Sequence, residues 1–338
     1  MKYLLITGSY RSGTTYLYKA LNNNSKIDIL YQPAIRLFKY LDLELRKKLK
    51  KKIFYNFPLG ITNISKKIEL NKILLNKNEI NKIVLSLAKK KDSNLKYYIR
   101  LRNNLKMKNK FISAREFIEI LFDSLVSKAN KSNAVVGFKD PFIGSLLKIL
   151  VQYKKLYIIN IIRDPREIFY SRNYSLVKNH NDFKNKKHPV VLTSLICNRN
   201  METDKYLKRQ KRYLSINFDD LIKKSKNTKK KISKFLNINI NLNKNKVQKL
   251  SKWKINSSGF GENFGSNWKN SILNDELAII EKICGVNFKR YKFKKELMNT
   301  KKLNLSVKNF KEKDRNVLNW TKKPLFLKYS KEKIQKLL

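Results

Sequence analysis

The chain is poor in the residues that staple or metallate a protein. Two cysteines, Cys197 and Cys284, and two histidines, His180 and His188, stand among 338 residues. They are too few for a disulfide framework and sit at no spacing that would hold zinc, so no metal is expected. That usage fits a reducing compartment. Acidic residues are scarce as well: 25 Asp and Glu against 77 Lys and Arg leave a formal charge of +52. Such a balance favours polyanions, from nucleic acid to anionic lipid headgroups or acidic glycans. The excess is spread along the whole chain and comes with abundant Asn and Ile, so a compositional bias at tolerant surface positions accounts for it equally well. No run approaches the roughly 20 apolar residues of a membrane span, and the apolar stretch ending at Thr7 is too short for a secretory signal. A soluble, cytoplasmic protein is expected. What remains, 42% hydrophobic residues, can build one large α/β domain with insertions, or two domains.

The stretch ITGSYRSGTTYL, residues 6–17, carries the first chemistry. Residues 3–6 read as a short buried strand, Gly8 and Gly13 bracket a turn, and residues 14–21 read as a helix. A turn of this kind presents backbone N–H groups and the positive end of a helix dipole to an anion. Its spacing nearly matches the loop that holds nucleoside triphosphates, but Thr14 stands where that loop needs lysine, and Arg11 is the turn's one cation. The turn can hold a phosphate yet is badly equipped to cleave ATP. A purely structural strand-to-helix corner would select similar residues.

Strands expected at 26–31, 134–138 and 156–162 alternate with helices at 115–129 and 142–151, which implies right-handed crossovers and a mostly parallel sheet covered on both faces. Between the strands expected at 26–31 and 134–138, residues 35–130 read as a lysine-dense helical insertion. Its basic run at 46–52 is compatible with an anionic membrane surface, although a solvated helix face is the plainer reading. In such sheets ligands bind beyond the carboxyl ends of the strands. The residues there are cationic or hydroxylated: the turn 8–15, Tyr31 and Gln32, Lys139 and Asp140, and Arg163.

A second constellation, RDPREIFYS at 163–171, follows the strand at 156–162. Arg163 ends the strand, Pro165 suits a first helical turn, and Ser171 lies two helical turns further on. An arginine fork beside a hydroxyl suits a dianionic phosphate, whereas the same charges alone could be a surface ion-pair cluster.

Taken together, the two motifs resemble those of sulfotransferases that use 3′-phosphoadenosine 5′-phosphosulfate (PAPS). The resemblance covers residues 1–290, loosely at 35–130, and leaves 291–338 as a basic C-terminal extension. It implies a three-layer, P-loop-like α/β fold, with Ser12, Gly13, Thr14 and Thr15 around the 5′-phosphate, Arg11 in the place of the motif cation, and Arg163 with Ser171 on the 3′-phosphate. Residues 213–238 are similar to the family's strand, acidic turn and two-helix segment. Residues 259–285 are similar to its C-terminal glycine and Trp-Lys element, which makes Gly265, Trp268 and Lys269 expected cofactor contacts. Lys139 matches a Lys-x-Pro element and is expected near the sulfonate.

Sulfonyl transfer builds charge on the departing phosphate oxygen, and fixed cations and N–H donors aimed at that oxygen stabilise the transition state. A general base should take the acceptor's proton. The places where many relatives keep a glutamate hold Tyr31, Gln32 and Phe138 here. Asp140 is the nearest carboxylate in sequence, with His180, Asp42 and Glu44 as further candidates. The acceptor expected is a hydroxyl or amine on a carbohydrate or lipid-linked glycan; protein tyrosine, steroids and phenols stay open. A P-loop kinase and a non-catalytic basic nucleic-acid-binding protein are the rival readings. The first lacks its lysine at position 14, and the second leaves both phosphate motifs unexplained and shows no recognition motif.

Overall fold

A computed structural model describes residues 1–48, 69–89, 93–106, 110–127, 132–141, 143–173, 190–240 and 268–296. Its centre is β1 (Lys2–Gly8). Leu4 and Ile6 pack to one side of this strand and Tyr3 and Leu5 to the other, which is why the sequence shows a continuous apolar run instead of an alternation. β1 pairs in parallel with β5 (Val135–Lys139) and β6 (Leu156–Ile162). β2 (Ile27–Tyr31) and β7 (Tyr213–Asn217) add the outer strands, both parallel, for the order β2-β5-β1-β6-β7.

On one face lie α1 (Thr14–Asn22), α9 (Phe218–Lys223) and α10 (Ser225–Leu236), whose Leu17, Leu221 and Ile232 join Leu4 and Ile6 in one core. On the other face α2 (Ile35–Lys48), α3 (Lys77–Ala88), α4 (Leu95–Lys106), α5 (Ala114–Asp123) and α6 (Leu147–Leu150) pack Phe38, Tyr97, Phe117 and Phe122 against Phe138 and Leu5. A third core joins α7 (Pro165–Asn173), α8 (Val190–Leu207) and α11 (Asn274–Tyr291). The doubly covered parallel α/β sheet expected from the sequence is therefore present.

Three details differ from the sequence reading. Within the helical insertion, β3 (Leu74–Asn76) and β4 (Phe111–Ser113) form an antiparallel pair; strands three residues long are too short for alternation to reveal. The helix expected at 142–151 is a 3₁₀ turn, Gly144–Leu146, followed by the single turn of α6. The third is α8, which the sequence reading did not anticipate. Its polar Thr193, Ser194, Asn200, Thr203 and Asp204 are buried along with its apolar residues, so no polar stripe marks a solvent face. Most of the basic run at 46–52, and residues 297–338 of the extension, lie outside the described residues. No described helix is long and apolar enough to cross a membrane.

A buried polar chain fastens α8 and α11 to the sheet. Asn160 Nδ2 in the middle of β6 donates to Tyr213 Oη at 2.8 Å, and Tyr213 donates to Asp204 Oδ1 at 2.6 Å. The Tyr291 hydroxyl of α11 reaches Asp204 Oδ2 at 2.9 Å. Buried carboxylates are tolerated only when bonded in this way. Tyr213→Phe removes the shared hydroxyl and leaves both neighbours short of a partner. The expected loss is about 1–3 kcal/mol, read as a lowered urea midpoint with an unchanged m-value.

Candidate active site

The loop between β1 and α1 is built around two close approaches. A Cβ at Gly8 would lie 2.5 Å from Ser12 Oγ and 2.7 Å from the Ile161 carbonyl. Gly13 has φ +94°, and a Cβ there would meet the Phe218 ring at 2.2 Å. Phe218 opens α9 directly after β7, so the floor under the turn comes from the sheet's far edge. No side chain caps α1 and no acidic residue stands in its first turn, which leaves the helix's free N–H groups directed at the loop's cavity. Ser12 Oγ and Thr7 Oγ1 are buried with no hydrogen-bond partner among the described residues. Thr14 is buried, and Thr15 beside it half-buried.

Four described non-glycine residues have positive φ. Asn237 and Lys292 end helices, while Arg11 at +57° and Gln32 at +50° stand just beyond β1 and β2. Strained backbone of this kind gathers where geometry serves a site.

The two phosphate motifs meet here. Arg11 Nε donates to Ser171 Oγ at 3.1 Å, across 160 positions of sequence. Arg163 Nη1 donates to the Arg11 carbonyl at 2.7 Å, and its Nη2 to Glu167 Oε2 at 3.2 Å. The Arg163 guanidinium also lies 4.6 Å from the centre of the Phe218 ring. Glu167 is buried beneath it; burial raises its carboxyl to about 7, against the pull of Arg163. Glu167 and Phe218 are site residues that sequence reasoning passed over. Each nevertheless lay inside a stretch singled out from the sequence: Glu167 within RDPREIFYS, and Phe218 within residues 213–238, at the head of the acidic turn.

Lys139 and Asp140 part company at the end of β5. Lys139 faces the α1 side, where its ammonium lies 4.4 Å over the Tyr31 ring. Tyr31 in turn packs on Tyr18 of α1, with ring centroids 5.5 Å apart. Only 3% of Lys139 is exposed, and burial lowers its ammonium to about 8. Asp140 turns to the opposite face. Its Oδ2 accepts from the Ala34 N–H at 3.1 Å, and the Ala34 carbonyl accepts from Phe38 N–H at 2.8 Å. Asp140 thus caps the start of α2. Burial raises its carboxyl to about 8, so it is held largely as the neutral acid at neutral pH.

The other base candidates are committed elsewhere. Asp42 is ion-paired with Arg46 and accepts from Ser145, and Glu44 pairs with Lys47 at 2.6 Å. His180 and Gly265 lie outside the described residues. Trp268 is buried under the Arg166 guanidinium, 4.2 Å from it, and Lys269 pairs with Glu296 at 2.8 Å. Arg166 is held by Asp164 at 2.7 Å, by Glu281 at 2.7 Å and by the Lys294 carbonyl. Trp268 thus meets Arg166 of α7, and Lys269 meets Glu296 just past α11. Sequence reasoning also missed the support that α8 gives the loop. Tyr10 hydrogen-bonds Thr193, and Ser9 bonds to the buried Cys197. Among the described residues no cluster of His, Cys, Asp and Glu could hold a metal ion.

A family model described as the sulfotransferase family matches residues 4–241, and the chain belongs to that family. No curated protein matches it. Among solved structures, the sulfotransferase domain from the curacin biosynthetic pathway is 15% identical, with 86% of this chain and 97% of that chain covered and a TM-score of 0.46. The sulfotransferase domain of the Synechococcus olefin synthase is 13% identical, with 82% and 92% covered and a TM-score of 0.40. A mouse sulfotransferase complexed with PAP is 12% identical, with 91% and 87% covered and a TM-score of 0.43. These likenesses are loose, and membership rests on the matched residues.

The placement of Asp140 carries a prediction. Its folded pKa of about 8 lies above the unfolded value, so the folded state keeps a proton that the unfolded state has lost between about pH 4 and 8. Stability from this group therefore falls as pH rises through that window. Asp140→Asn, which keeps an acceptor for Ala34, is expected to flatten the decline and to unfold at equal or higher urea near pH 8. A steeper decline in the variant would contradict the capping role.

Proposed function

We propose that this chain transfers a sulfonyl group from PAPS to a hydroxyl or amine of a carbohydrate or lipid-linked glycan. One observation carries the reading: the bond from Arg11 to Ser171 and that from Arg163 to the Arg11 carbonyl join two anion-binding motifs into one pocket. The pocket suits a nucleotide with a phosphate at each end. The uncapped start of α1 and the unpaired hydroxyls of Ser12 and Thr7 fit an anion bound in the turn.

PAPS, when bound, supplies a sulfonyl group on a phosphate leaving group. The chain's residues do the rest. The N–H groups of Gly13, Thr14 and Thr15, with Ser12 Oγ, hold the 5′-phosphate; Arg11 sets a cation beside the oxygen on which charge accumulates. Arg163 and Ser171 take the 3′-phosphate, with Glu167 and Phe218 fixing the guanidinium in place. Lys139 presents its Nζ from the neighbouring strand. Trp268 and Lys269 contribute by seating the segment before α11 on α7. Residues 1–290 form the catalytic domain in this reading. The lysine-rich helices inserted after β2 favour an acidic acceptor over a neutral phenol, and they leave room for peripheral contact with an anionic membrane surface.

Isothermal titration with the desulfonated nucleotide PAP tests the reading. Micromolar binding is expected, weakened about tenfold or more by Arg11→Ala and by Arg163→Ala, since each removes a charge-assisted contact. Absence of binding at high micromolar concentration, or binding by both variants equal to that of the wild type, would reject it.

A further inference from the structure

Moving a sulfonyl group onto a hydroxyl releases a proton, and a positioned side chain must receive it. The described carboxylates at the carboxyl edge of the sheet are all engaged. Asp140 caps α2 on the far face, Glu167 lies under Arg163, and Asp164 grips Arg166. Asp219 stands on the Phe218 side, where Arg163 and Lys223 act on it. Among the described residues around the ends of β1, β2 and β5 stand Arg11, Tyr18, Tyr31 and Lys139, with Tyr10 bonded to Thr193 of α8.

Lys139 is distinguished within that set by burial without an ionic partner. No described residue hydrogen-bonds or ion-pairs with its ammonium. Tyr31 covers it from β2, Tyr18 of α1 backs Tyr31, and Asp140 on its own strand is the one charge that acts on it. The side chain sits level with Ile6, two residues before Gly8, and therefore beside the mouth of the phosphate turn. Arg11 also interacts electrostatically with Tyr31.

We propose that Lys139, as the neutral amine, is the general base of the reaction. The proposal rests on the sulfotransferase reading above and gives that site its missing proton acceptor. The acceptor oxygen forms its bond to sulfur while the bond from sulfur to the phosphate oxygen breaks. The electron pair leaves on the phosphate, steadied by Arg11, and the acceptor's proton passes to Lys139 Nζ to give the ammonium. That ammonium then stands beside the newly anionic product. Burial prepares the group for this: with its value lowered to about 8, an appreciable fraction is uncharged at neutral pH, whereas a surface lysine is almost wholly protonated. Below that value the amine is blocked by its own proton, so activity rises with pH. In kcat/KM for the donor, which reports free enzyme, the limb falls near pH 8; in kcat the bound anion displaces it upward.

The rival role is a fixed cation, and arginine separates the two because it keeps the charge and cannot give up its proton. With full-length protein, release of PAP from PAPS is followed with chitotriose as acceptor and with water alone. Lys139→Arg and Lys139→Met are both expected to lose about 100-fold or more in kcat and to lose the alkaline limb, with PAP affinity in the titration changed by no more than about threefold. Arginine restoring the rate would overturn the proposal. Site-resolved competitive labelling with acetic anhydride, read by mass spectrometry across pH, supplies a second arm that needs no turnover. A midpoint near 8 for Lys139 supports it, and a midpoint with the exposed lysines overturns it. Failure of the wild-type protein to bind PAP would instead sink the parent reading, a distinguishable outcome.

Discussion

The carbonyl of Arg11 is an unusual thing for an arginine to seek, and the rest of the site follows from Arg163 seeking it. The turn after β1 enters the left-handed region at Arg11 and again at Gly13, and a loop bent in that way presents its amides inward and its carbonyls outward. One of those carbonyls accepts from Arg163 at the end of the adjacent parallel strand. Two strands that are neighbours in the sheet but remote in sequence are thereby locked at their carboxyl ends. The cation that could occupy an anion site is also the brace that keeps the other half of the site in shape. The Phe218 ring and the Glu167 carboxylate hold the guanidinium in place.

Much of this was legible in the chain. Three strands of the central sheet are apolar runs ending in Gly, Lys-Asp-Pro or Arg-Asp-Pro, and being parallel they all end at the same edge of the sheet. Arg11, Ser171 and Arg163 could be named because a strand-to-helix turn and a residue two helical turns along are local geometry, and because the two motifs together resemble those of the family. What escaped was nonlocal. The polar residues of α8 are buried against other elements, so its sequence carries no amphipathic signature. β3 and β4 exist only through each other. The roles of Phe218 and Trp268 depend on which ring meets which arginine, and that is decided by tertiary packing. Asp140 illustrates the same limit. As a carboxylate next to Lys139 it invited a catalytic reading, yet successive strand residues point to opposite faces, and its own face holds the start of α2.

That alternation also produces an electrostatic contrast at one peptide unit. Lys139 and Asp140 are neighbours, both buried, and both displaced toward their uncharged forms by burial. They do not rescue each other by forming an ion pair, because the sheet stands between their side chains. The pair is therefore two separate desolvated groups, one facing the phosphate turn and one facing the inserted helices.

The ring of Phe218 against Gly13 has a mechanical meaning. This aromatic is the first residue past the outermost strand, β7, and it touches the turn after the central strand as well as the brace from the strand between them. The turn after β1 thus rests on a cantilever anchored two ribs away. A distortion of that outer margin, for instance from a change in α9, would tilt the nucleotide's seat without touching a single residue that contacts it.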